Sequence, residues 1–296
     1  MKLIENVKIL QGHEGAIYKI VFDAHEKKLY SVGGDGWLVE WDVRQSENGV
    51  LLARVPDQVF SLAVSPDYYF MGSFQGNFYV INRRERKIEF QQKVHKGGIF
   101  DIHWDQENIF TFGGDGRIIQ WDIDNFNLIK SVQLSNQSLR TFTILEDRNE
   151  IAVGCSDTSI YILSSPDLFL RKQIEGAHDP SVFALLYSDH RLLSGGRDAR
   201  IRIWDPEDDF RMKEVLDAHW YAIYDLIQTP SMIISSSRDK SIRWWNRDQM
   251  RPVLSVKWGE VENAHVHSVN TLAYDEENDT VFSGSDDRTI RLWSVK

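Results

Sequence analysis

The sequence predicts an all-β fold of seven similar four-stranded sheets closed into a ring. Three observations carry this expectation. A pattern of about forty residues recurs along the chain; the segments within each copy are short, β-branched and aromatic, with turn residues between them; and the two ends of the chain are incomplete in complementary ways. The recurring stretch starts with Ser or Thr, places an Asp four residues on, and ends with a Trp six further along. Its five strong copies are Ser31-Asp35-Trp41, Thr111-Asp115-Trp121, Ser194-Asp198-Trp204, Ser235-Asp239-Trp245 and Ser283-Asp287-Trp293. Two weaker copies fill the gaps, one with Gln75 and Ile81 in place of the Asp and Trp, the other with Asp157 and Leu163.

The elements follow in order. A histidine precedes each strong copy (His13, His95, His178, His219, His265), with an aliphatic residue four later and another seven later, such as Ile17 and Ile20. This apolar pair marks a first strand. A second strand ends at the Ser or Thr, a third ends at the Trp, and a fourth lies beyond it, as over residues 50–55, 128–134 and 252–258. Turn residues such as Gly33-Gly34-Asp35-Gly36 and Asp286-Asp287 separate them. The seventh unit lacks a fourth strand, because only three residues follow Trp293, while residues 3–10 precede His13 with no sheet of their own. A ring closes if that segment completes the last sheet, and closure removes the exposed apolar ends of an open stack.

Composition agrees with this architecture and excludes others. At 296 residues the chain is near the upper limit of a single core, so one domain requires a divided one. No apolar run approaches the roughly 20 residues of a membrane span, and the first six residues hold no signal-peptide core. The one cysteine, Cys155, cannot form an internal disulfide, so a reducing, cytoplasmic setting is expected. The net charge of −10 speaks against nucleic-acid or membrane partners.

The pairs Gly12-His13, Ala177-His178, Ala218-His219 and Ala264-His265, with Trp41-Asp42, Trp121-Asp122 and Trp204-Asp205, resemble the signatures of the WD-repeat (WD40) family of β-propellers. The resemblance extends over essentially the whole chain. It implies a seven-bladed β-propeller with four-stranded antiparallel blades, a single domain over residues 1–296 closed by the N-terminal strand. It also implies a buried hydrogen-bond chain in each blade, Trp to Ser or Thr to His to Asp. Blade one would use Trp41, Ser31, His13 and Asp35, with equivalents in blades three, five, six and seven. Blades two and four depart from the pattern and are expected to rely on apolar packing. The five Ser-His-Asp sets are then scaffold, although they mimic a hydrolase triad. Neither a catalytic site nor a cofactor is expected. Nor is a metal: the other histidines, His25, His103, His190 and His267, show no ligand spacing beyond His265-Val266-His267.

Family members usually bind peptides on the face carrying the histidine loops and Asp turns. The residue five after each histidine position should point into the channel mouth on that face. In blade order these are Tyr18, Phe60, Phe100, Arg140, Phe183, Tyr224 and Asn270. The residue before each turn Asp should share the face; this adds Phe74, Arg197, Arg238 and Asp286, and the histidine loop of blade six adds Trp220 and Tyr221. Aromatic residues and Arg dominate binding hot spots, so this face is expected to hold a protein or peptide. The rings could take an apolar or cationic side chain, and the arginines a carboxylate or phosphate. The competing reading is an aromatic plug. The expected protein is a non-enzymatic scaffold, monomeric within a larger complex. Two alternatives remain: a substrate receptor of a cullin-type ubiquitin ligase, suggested by Trp41-Asp42-Val43-Arg44 despite Glu40 before it, and a propeller enzyme with an unrecognised site. The basic run over residues 82–87 reads as a solvated turn.

Overall fold

Strands rich in Val, Ile, Phe and Tyr, most of them bounded by an Asp-, Gly- or Asn-containing turn, build the sheets of the protein. The structure is a computed structural model that describes residues 4–44 and 48–295. Its described residues form seven antiparallel four-stranded sheets, six of them consecutive in sequence. The seventh joins Val269–Asp275, Thr280–Ser285 and Thr289–Val295 to the N-terminal strand Ile4–Gln11. The closing strand therefore falls one residue later than expected, and Leu3 lies outside the described residues. The first strand of each blade touches the first strands of both neighbours, including blade seven against blade one, which closes the ring.

Burial grades across each blade. Third strands are almost wholly buried, as in Ile160–Ser164, while outer strands such as Lys87–Lys93 are largely exposed. The core is divided between blades rather than held in one centre. Tyr30, Val32 and Leu38 of blade one, for example, pack against Val59, Leu62, Tyr69 and Tyr79 of blade two. At the seam, Leu10, Ile17 and Trp41 pack with Phe282, Ile290 and Leu292 of blade seven. Full burial of such a side chain contributes about 1.5–3 kcal/mol, so each interface is held by several of them.

Two tryptophans outside the repeated pattern take different places. Trp244 lies on the third strand of blade six (Ser241–Asn246) and is buried in the interface with blade seven. Trp258 follows the outer strand Pro252–Lys257 and is exposed, with Lys240 over its ring.

Candidate functional site

The polar chain expected in five blades is present in all five. In blade one Trp41 Nε1 donates to Ser31 Oγ at 2.8 Å, His13 Nε2 lies 2.7 Å from that hydroxyl, and His13 Nδ1 lies 2.8 Å from Asp35. Blade five repeats the set through Trp204, Ser194, His178 and Asp198. Burial holds the imidazoles of His178, His219 and His265 below their ordinary range, and therefore neutral. Burial alone would raise the Asp115 carboxyl; hydrogen bonds from His95 and the Lys96 N–H outweigh it and hold the group at about 2. The turn aspartates also grip the chain ahead of the first strand: Asp35 accepts from the N–H of Glu14 and Gly15, and Asp239 from that of Trp220.

Blades two and four do not rely on apolar packing alone. Asp57 accepts from Tyr79 Oη at 2.7 Å and from Asn77 Nδ2 at 2.5 Å. Asp157 accepts from Tyr161 Oη at 2.6 Å and from Ser135 Oγ at 2.5 Å. A tyrosine two residues before the missing Trp thus replaces the Trp-Ser-His relay. The available signal was the paired aromatics at 79 and 161, where the five other blades carry Val39, Ile119, Arg202, Arg243 and Arg291.

The same local device aims each mouth residue. In every first strand the pairing register slips by one residue, between Ile17 and Lys19, Val59 and Ser61, Ile99 and Asp101, and equivalently in the other four blades. The residue skipped by these β-bulges is Tyr18, Phe60, Phe100, Arg140, Phe183, Tyr224 or Asn270. A bulged residue leaves the ladder and turns its side chain out of the pleat. Beside each bulge the residue before the turn Asp donates its N–H to the carbonyl two positions ahead of the bulged residue, as Gly34 does to Ala16 and Arg197 to Ser181.

These seven side chains and Asp286 line one cavity of about 320 Å³. Tyr18 stacks on Phe60 at 4.2 Å, and Phe60 meets Phe100 edge-on at 6.0 Å. Phe183 meets Tyr224 edge-on at 5.8 Å. The Arg140 guanidinium lies 4.0 Å from the Phe100 ring centre and 5.0 Å from that of Phe183. Asn270 donates to Asp286 at 2.8 Å and to the Ile17 carbonyl at 2.9 Å. Burial raises the Tyr224 phenol, and Arg238 is the strongest of three guanidinium groups that pull it back, the others being Arg140 and Arg197. Those arginines therefore share the same electrostatic neighbourhood. Beyond the cavity, Phe74 is half exposed beside Phe60, and Trp220 is 76% exposed with Tyr221 next to it.

One residue beyond each bulge lies a layer that sequence reasoning missed. Asp101 is buried there and Lys19 and Asp225 are half-buried, and the two carboxylates hold the Lys19 ammonium above its ordinary range despite desolvation. Both carboxyls are raised by burial. Each also clamps the next blade: Asp101 accepts from the Phe142 N–H at 3.4 Å and Asp225 from the Leu272 N–H at 2.8 Å. The signal was present as charged residues six positions after the histidine.

Two other motifs find their places. Arg44 is exposed and pairs with Glu277 at 3.4 Å. The basic run is not wholly solvated: Arg83 is largely buried over the Tyr30 and Tyr69 rings and pairs with Glu26 at 2.5 Å, joining blades one and two. Residues 84–87 are exposed. No group of three or more potential metal-ligating side chains occurs among the described residues.

Comparison with known proteins agrees with this geometry. The family model for the WD domain, G-beta repeat, matches residues 4–42, 170–205, 210–246 and 260–294. Each matched segment except the last combines an outer or closing strand with the three inner strands of the next blade. The crystal structure of the WD40 beta propeller domain of Doa1 superposes with a TM-score of 0.85 over 98% of this chain and 97% of that one, at 16% identity, a likeness of fold. A search of curated proteins found no sequence match. The chain belongs to the WD40 repeat family, whose propellers generally serve as non-enzymatic platforms for protein interaction.

Proposed function

We propose that the chain is a non-enzymatic platform that binds a peptide segment of a partner protein across the channel mouth on its upper face. The observation that carries the proposal is the convergence of seven bulged residues, five of them aromatic, on one cavity. Packing alone does not require seven separate departures from the strand ladder at one place, whereas bulges that re-aim side chains are frequent beside functional sites. Trp220 and Tyr221 extend the surface outward, and Asp239 fixes the Trp220 backbone, so the loop carrying an exposed anchor is held in place before binding. The plug reading accounts for the depth of the cavity but not for this exposed rim.

The proposal includes a single propeller acting as a monomer within a larger complex, in a reducing cytoplasm. Cys155 suits that setting as a buried apolar residue, its thiol pushed up to about 11 by burial. The test is affinity capture by wild type and by Phe100→Ala with Phe183→Ala, with quantitative mass spectrometry and a melting curve. Loss of a hot-spot pair is expected to lower capture at least about tenfold while the fold is retained. Equal capture by the two proteins contradicts the proposal.

A further inference from the structure

Several arginines of the ring are committed to carboxylates. Arg83, Arg148, Arg202 and Arg247 each reach a carboxylate. Arg140 lies half-buried in the mouth, and none of the described residues accepts a hydrogen bond from it; its guanidinium lies on the faces of Phe100 and Phe183. A guanidinium carries five N–H donors in a planar fork, and leaving them without acceptors in a partly desolvated site is unfavourable. Arg197 and Arg238 act on the same Tyr224 as Arg140 does, and against these three guanidinium groups stands the single carboxylate of Asp286. The one acid lining the cavity, Asp286, belongs to blade seven, across the ring from blade four, and is engaged by Asn270. The cation site that the two phenyl rings offer is therefore already filled by the protein itself.

We infer that the mouth takes an anionic group of the partner peptide, a carboxylate or a phosphate, on the free donors of Arg140, with Phe100 and Phe183 holding the guanidinium in place. The inference rests on the peptide-binding reading and deepens it. Planar, bidentate capture of an oxyanion is what a pre-positioned guanidinium does best, and its rings replace the entropy cost of ordering a free Arg side chain. A cavity of about 320 Å³ has room for one side chain or chain terminus, not for a folded surface. The net charge of −10 over the whole chain would repel acidic chains in general, so the attraction is confined to this point.

The test uses pools of N-acetylated random heptapeptides, restricted to uncharged residues apart from one varied feature. One pool has an amidated terminus, one a free terminal carboxylate, one a central Asp or Glu, one a central phosphoserine, and one a central Arg. Each is passed over immobilised wild type, Arg140→Met, Arg140→Gln and the Phe100/Phe183 double alanine variant. Wild type is expected to retain at least one acid-bearing pool about tenfold more than the amidated neutral pool, and the pool retained identifies the source of the anion. Either Arg140 variant, checked for an unchanged melting curve, is expected to reduce that preference to less than about twofold. Retention of the neutral or Arg-bearing pool above the acidic ones overturns the inference; if that retention is lost in the double alanine variant, the peptide-binding reading stands without it. An acid preference that survives both Arg140 substitutions also overturns it. Retention of no pool overturns both.

Discussion

Ser31 does two jobs with one hydroxyl: it accepts the Trp41 indole N–H and meets His13 Nε2, fully out of contact with solvent. Removing it leaves two buried polar groups without a partner, each costing about 1–3 kcal/mol. Ser31→Ala is therefore expected to lower unfolding stability by about 2 kcal/mol or more, measured by urea denaturation, whereas Ser→Ala on an exposed outer strand is expected to cost less than about 0.5 kcal/mol. The five locks were legible in the sequence because each repeats the same four residue types at the same spacing. The substitutes Tyr79 and Tyr161 were not. An aromatic inside a strand reads first as core, and only the fold shows its hydroxyl reaching a carboxylate, Asp57 ahead of the first strand of blade two at 2.7 Å or the turn Asp157 of blade four at 2.6 Å. The same limit applied to Arg140: counting from the histidine placed it at the mouth, but nothing in the sequence says whether its guanidinium faces water or lies on two rings.

The element that repeats most faithfully is the turn after the second strand. Its residue following the Asp position takes positive φ in all seven blades: Gly36, Gly76 and Gly116 at +74°, +85° and +76°, but Thr158, Ala199, Lys240 and Arg288 at +80°, +64°, +71° and +69°. A side chain in this left-handed region costs about 1–2 kcal/mol, partly offset in the comparison by the greater chain freedom that glycine loses on folding. Ala199→Gly is thus expected to stabilise by up to about 1 kcal/mol. Gly36→Ala is expected to cost more than about 1 kcal/mol, because its new Cβ would also stand 2.2 Å from the Val55 carbonyl oxygen. Chemical denaturation of the pair checks both signs. The turns were readable from their Asp and Gly residues. The bulges were not, since a one-residue slip leaves the apolar pattern of the strand intact; what remained visible was their consequence, a constant offset of five residues from the histidine position.

At the scale of the whole molecule, Ile4–Gln11 supplies the outer strand of blade seven and packs that blade against blade one, so the ring is closed and its titratable locks act on one folded unit. His178, His219 and His265 have folded pKa values below the ordinary 6.5, so the folded chain binds fewer protons than the unfolded one as the solution is acidified. Their contribution is present above pH 6.5 and is lost as pH falls below it. The lowered turn aspartates add a second loss, for Asp115 between 3.8 and about 2. Asp101 and Asp225, raised by burial, act in the opposite sense, but the lowered set Asp35, Asp115, Asp198, Asp239 and Asp287 outnumbers them. The melting temperature is expected to be highest near neutrality, to decline from pH 7 to 5, and to fall steeply below pH 4; a flat profile down to pH 4 contradicts the neutral-imidazole locks. Division of the core into seven interfaces also explains how a chain of this length forms one ring, which the repeat made legible from the start. Peptide binding at the mouth of that ring is checked by the dissociation constant of a captured partner measured against wild type, the Phe100/Phe183 double alanine variant, and a control with exposed Phe169 changed to Ser. Affinity is expected to fall at least about tenfold in the mouth variant and not in the control; unchanged affinity in the mouth variant, or loss in the control alone, overturns peptide binding at the mouth.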